Sequence, residues 1–241
     1  MIYEISEKII WEKIRQDEEH KPLHPLQALI EQFGGVAFEK QIVLDDIVDN
    51  KPWQIDMEKQ QIVFGDDLYL SFQLLGTYSY STKTWLWAWA NDKSDLPESI
   101  IQQALELKKY GEDNGIELFT HCNLNAGQGD LHIMGLIASG IFNASGYYIA
   151  DYGEGSLMLT FSDEHIEQTY QKNSTHLQIL SVFQQFISTY EMNHYFGLKH
   201  YLLAKDYQVT FDDGLKLIAT KDQCQISAEF DNLLRLIELN G

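Results

Sequence analysis

The sequence predicts an α+β fold: an antiparallel sheet built on one long tryptophan-rich hairpin, covered by helices, with a smaller C-terminal helix-plus-strand region. Three observations carry this expectation. Leu68 to Asn91, LYLSFQLLGTYSYSTKTWLWAWAN, reads as two strands closed by a short turn at Tyr80 to Lys83. Further strand-like segments follow one another at hairpin spacing, separated by turn residues. Apolar residues at three- and four-residue spacing mark helices before, between and after them.

The hairpin is the best-specified element. Trp85, Trp87 and Trp89 alternate with Leu86, Ala88 and Ala90, and strand side chains alternate between faces, so three indoles line one face. The turn position pairs Tyr78 with Trp85, Gly76 with Trp87 and Leu74 with Trp89. A glycine opposite the middle indole leaves room for an aromatic ring to lie across the strand. Each indole buries roughly 150–250 Å², so at about 25 cal/mol per Å² the ladder contributes several kcal/mol as a core or as the wall of a pocket.

The remaining elements follow in chain order. Ile2, Ile5, Ile9 and Ile10 predict a first helix, which stops before Pro22 and Pro25. Leu26 to Phe33 predicts a second, ended by Gly34-Gly35 in a left-handed cap, and Phe38 to Ile47 a short third. Trp53 to Asp56 and Gln61 to Phe64 form a hairpin leading into the central strand. Asp95 and Glu98 form a capping-box pattern for a helix running to about Tyr110, and Ile116 to Thr120 reads as a strand. Gln128 to Ser145 is a nearly apolar helix, expected on the small face of Leu86, Ala88 and Ala90. Two strands, Tyr147 to Ala150 and Ser156 to Phe161, complete a main domain over residues 1–162. Residues 163–241 then form the C-terminal region, with helices from about Ser174 and from Tyr195, and strands at Tyr207 to Phe211, Leu215 to Thr220 and Gln223 to Phe230.

Thirty-six acidic against 17 basic residues give a net charge of −19. This disfavours nucleic acid and anionic membranes as partners and favours a protein partner with a basic surface. Neither a signal peptide nor a run of about 20 apolar residues is read in the chain. Cys122 and Cys224 are far apart and outside any CxxC spacing, the pattern of reduced thiols in a cytoplasmic protein. The oligomeric state is not legible.

No metal or cofactor is expected. His20 and His24 stand at helical metal spacing, but Pro22 lies between them. His121, Cys122 and His132 converge only if their connecting loop folds back. The loop NLNAGQGD, Asn123 to Asp130, precedes a helix and fails the dinucleotide and calcium patterns, so it reads as a loop capped by Asp130. The acidic pairs at Asp45, Asp66 and Asp212 read as turn formers. The candidate ligand-binding residues are Trp85, Trp87, Trp89 and Tyr78, with Asn91 and Asp92 at the strand exit to orient a polar group.

The segments Leu75-Gly76-Thr77-Tyr78-Ser79 and Thr84 to Asn91 resemble the core motif of a widespread bacterial family of unknown function, marked by LG(S/T)YS followed by TWLWAWAN. The likeness extends from about Leu26 to Phe161. It implies a soluble bacterial protein and transfers no catalytic residues.

Three functional readings follow. The leading one is a non-catalytic, accessory or immunity-type protein-interaction module with an acidic surface. The alternative is a small-molecule binding protein with a tryptophan-lined pocket. The third, a hydrolase-like enzyme, needs groups such as Asp92, His121, Asp130 and His132 to converge.

Overall fold

A computed structural model describes residues 25–212 and 215–241. The expected helix over Ile2 to Ile10, His20, His24 and the turn at Asp213-Gly214 lie outside the described residues. The fold is α+β. The described residues divide into two compact units: Ala37–Asn173, and residues 25–36 together with Ser174–Gly241.

In the Ala37–Asn173 unit, seven strands form one antiparallel sheet. They are β1 (Trp53–Asp56), β2 (Gln61–Phe64), β3 (Leu68–Ser79), β4 (Thr84–Trp87), β5 (Asn123–Asn125), β6 (Gly146–Asp151) and β7 (Gly155–Phe161). β1 to β5 pair in sequence order, β7 pairs with β3, and β6 pairs with β7. The hairpin has the expected register, with Tyr78 opposite Trp85 and Gly76 opposite Trp87. It ends sooner than expected. Ala88–Ala90 form a 3-10 turn, so Trp89 leaves the ladder and never faces Leu74.

Helix α1 (Pro25–Val48) is continuous through Gly34-Gly35, where the sequence predicts a stop. The reason is packing: a Cβ on Gly35 would lie 2.6 Å from Tyr201 Cβ, so the glycine makes room for a ring rather than ending a helix. α2 (Glu98–Asn114) starts from Pro97 without a side-chain cap, so the Asp95–Glu98 box does not form, and it ends at left-handed Gly115. Ile116 to Thr120 is not a strand, since α3 (Glu117–Thr120) occupies it. α4 (Gln128–Ile141) packs on β6 and β7, with Gly135 against the Tyr147 ring. The small face expected to receive it is lost once Ala88 and Ala90 turn out of the strand. α5 (Glu164–Asn173) completes this unit.

The core of the unit joins α1 residues Val43, Leu44 and Val48 to Phe64, Leu70, Phe72, Leu159 and Phe161 of the sheet and to Ile100 and Ala104 of α2. Lys40 is buried beside it, 3% exposed, and its ammonium bonds Glu167 Oε1 at 2.8 Å and Asn143 Oδ1 at 2.9 Å.

The other unit carries α6 (His176–Thr189), α7 (His194–Ala204) and a four-stranded antiparallel sheet. Its strands are β8 (Gln208–Phe211), β9 (Lys216–Lys221), β10 (Cys224–Phe230) and β11 (Leu236–Asn240), ordered β11-β10-β9-β8. Tyr195 contacts Phe211 and Phe230, with ring centroids 4.3 and 5.7 Å apart. Glu31, in the first half of α1, is 3% exposed. It accepts the Asn193 backbone N–H at 2.8 Å and the Gln27 amide at 3.1 Å. Burial raises its pKa to about 7, although both hydrogen bonds oppose the rise.

Candidate functional site

The hairpin brings Tyr78, Trp85 and Trp87 together as core. Trp85 is 0% and Trp87 1% exposed, and the two rings meet edge to face with centroids 5.3 Å apart. The Trp87 indole N–H donates to the Leu118 carbonyl at 2.9 Å, and the Tyr78 hydroxyl donates to the Ala126 carbonyl at 3.0 Å. These bonds fasten the hairpin to α3 and to the loop before α4. Trp89 is half-buried under the Lys108 ammonium, 4.4 Å from its ring centroid. Asn91 accompanies it as the cap of the 3-10 turn, and Asp92 is exposed beyond it.

The polar residues that an enzymatic reading requires are not linked to one another. Asp130 Oδ2 accepts the Gly127 N–H at 2.7 Å, the capping role expected of it. His132 Nδ1 lies 3.0 Å from the Tyr147 hydroxyl, and His121 Nδ1 lies 2.9 Å from the Glu117 carbonyl. Among the described residues no group of three or more His, Cys, Asp or Glu side chains is arranged to hold a metal.

A cavity of about 620 Å³ lies elsewhere, between α2 and strands β3 and β7. Gln60, Gln73, Gln102, Gln103, Ser99 and Thr160 supply most of its polar lining, and Phe72 and Phe142 its apolar surface. Gln73 Nε2 donates to the Ser99 carbonyl at 2.8 Å, and Gln73 Oε1 accepts the Gln103 backbone N–H at 3.2 Å. Gln60 Nε2 donates to Ser99 Oγ at 2.9 Å, and Gln102 Nε2 to Glu106 Oε1 at 2.9 Å. The Thr160 hydroxyl donates to Gln103 Oε1 at 2.5 Å. Sequence reasoning missed this groove. Glutamines scattered over a turn, a strand and a helix carry no periodic signal.

A second feature is an acidic rim. α1 ends with Asp45 and Asp46 and has no basic residue in its last turn, and Asp49 follows the helix directly. The β2–β3 turn adds Asp66 and Asp67, and the Gly65 N–H donates to the Pro52 carbonyl at 2.8 Å, which holds that turn beside the helix end. All five aspartates are exposed as residues. The Asp45 carboxyl nevertheless rests on the Gln41 amide at 2.8 Å. Partial burial raises its pKa and the neighbouring Asp46 charge adds to the rise, while the Gln41 hydrogen bond and the His132 charge oppose it. Lys51, the nearest lysine in sequence, donates to the Ile47 carbonyl at 2.9 Å.

Fold and site define the class: an α+β protein with an antiparallel meander sheet, an open amide-lined groove and an acidic rim. Within it, the chain belongs to a family of unknown function (DUF6882), whose sequence model matches residues 27–164, from α1 through β7. No curated protein and no solved structure matches the chain. No described helix is long and apolar enough to cross a membrane.

Proposed function

We propose that this chain is a non-catalytic interaction module that receives a basic surface of a protein partner on the rim formed by Asp45, Asp46, Asp49, Asp66 and Asp67. One observation carries this reading. Aspartates at the carboxyl end of a helix face the negative end of its dipole, a placement that costs about 0.3–1 kcal/mol each. Here two stand in the last turn, with no basic residue to offset them. Residues that work against local stability fit a purpose outside the fold. Exposed Tyr69, 57% accessible and with its hydroxyl 3.5 Å from the Asp66 carbonyl, supplies an aromatic contact beside the carboxylates.

The test is photo-crosslinking from position 69 in lysate of the protein's own cells. The expected product is one basic polypeptide, lost when salt shortens the Debye length from about 10 Å at 0.1 M to about 3 Å at 1 M. It should also be lost when Asp45, Asp46, Asp66 and Asp67 are changed to Asn. Crosslinking that is indifferent to both salt and these substitutions overturns the proposal.

A further inference from the structure

The groove between α2 and the β3–β7 ladder has a chemistry distinct from that of the acidic rim. Its volume, about 620 Å³, lies within the rough 300–1,000 Å³ range of small-molecule sites. Its polar groups are held in place before any ligand arrives. Gln73 bonds the α2 backbone through both ends of its amide, and since a carbonyl only accepts and an N–H only donates, its orientation is fixed. Thr160, 1% exposed, fixes the Gln103 carbonyl. The Gln103 NH2 group then has no acceptor among the described residues. The side-chain amide oxygens of Gln60 and Gln102 likewise accept nothing there, and the Ser99 hydroxyl, which accepts from Gln60, keeps its own proton free.

Spare donors and acceptors therefore stand on a helix and a tight turn, beside the apolar surface of Phe72 and Phe142. A ligand hydroxyl both gives and receives a hydrogen bond, so a polyol matches a lining of mixed amides and hydroxyls. An anion would meet Glu106 and a chain of net charge −19. A cation would find Glu106 already engaged by Gln102, with Lys59 also on the wall. We infer that this groove binds a short neutral saccharide, its hydroxyls bonded by Gln60, Ser99, Gln102 and Gln103 and one apolar ring face laid on Phe142.

The test is NMR of the intact chain, following the glutamine side-chain NH2 resonances during titration with maltotriose and with tri-N-acetylchitotriose, and with sialyllactose as an anionic control. At least one neutral trisaccharide should shift the Gln60 and Gln103 signals saturably. Gln102→Ala, at an exposed position, and Gln60→Ala should each weaken that binding by about tenfold. Asp66→Asn, on the acidic rim, should leave it unchanged. The inference is overturned by the absence of saturable shifts at ~10 mM of either neutral sugar, about ten-thousandfold above a Kd of about 1 μM. Response to sialyllactose alone, shifts confined to residues outside the groove, or undiminished affinity in both groove variants would also overturn it.

Discussion

Helix α1 buries three charged side chains, Glu31, Glu39 and Lys40, and the two regions of the molecule handle Glu31 and Lys40, nine residues apart, differently. In the Ala37–Asn173 unit, Lys40 is paired. Glu167, 29% exposed, supplies the opposite charge at 2.8 Å, Asn143 supplies a carbonyl and an amide oxygen, and the Tyr170 ring lies 5.4 Å away. In the other unit, Glu31 receives N–H donors but no cation among its shift-causing neighbours, and its pKa climbs to about 7. A buried ion is tolerated when it is paired and hydrogen-bonded, and otherwise it moves toward neutrality. The pair ties α1 to α5. The lone carboxyl also ties α1 to the start of α7, but burial outweighs the hydrogen bonds that favour its charge, so the fold is most stable with it protonated.

The largest break in this comparison is Lys40→Ala, which strands Glu167 and Asn143. It should destabilise the protein by about 3–4 kcal/mol, the partial exposure of Glu167 keeping the loss below the upper end for buried pairs. Urea denaturation at pH 7 reads it as a fall in midpoint at unchanged slope. Next is Glu31→Gln, an uncharged mimic of the protonated acid. Because the folded-state pKa of about 7 lies above the ordinary 4.5, the folded protein binds the proton more tightly than the unfolded chain. The stability tied to this group is full below about pH 4.5 and is lost as the pH rises through about 7. Glu31→Gln should therefore match the wild type at pH 4 and exceed it by about 3 kcal/mol at pH 8, which denaturation curves at both pH values decide.

Burial without charge gives the control. A Cβ at Gly76 would meet the Trp85 ring and would lie 2.5 Å from the Leu86 carbonyl oxygen. Gly76→Ala should cost about 2 kcal/mol, with no pH dependence between pH 5 and 8. The smallest effect tests charge without burial. Asp46→Asn should raise thermal stability by about 0.5 kcal/mol at low ionic strength, a gain that high salt erases. Loss of stability in this variant would mean that the carboxylate supports the helix end and would remove the argument for the rim.

What was legible in the sequence was local. The pairing of Gly76 with Trp87 follows from alternation and the position of one turn, and it holds in the structure. Asp130 as a cap, β6, β7 and most of the C-terminal strands follow from short-range turn and propensity signals. Illegible features were those decided by partners distant in sequence. Gly34-Gly35 continues a helix because Tyr201 packs on it. Trp89 turns away from the ladder after Trp87. The glutamine groove is assembled from the β1–β2 turn, β3, α2 and β7. Glu31 shows no sign in its flanking residues that Asn193 covers it.

The Trp85–Trp87 contact has an optical consequence. Two indoles held edge to face at 5.3 Å and shielded from water couple their electronic transitions, so the native protein should show a paired near-ultraviolet circular dichroism band and short-wavelength emission. Every described tryptophan lies in the Ala37–Asn173 unit. The unit that holds Glu31 contributes tyrosine and phenylalanine signals alone from its described residues. The chain thus carries a built-in chromophore pair that reports melting of one half of the molecule while remaining blind to the other.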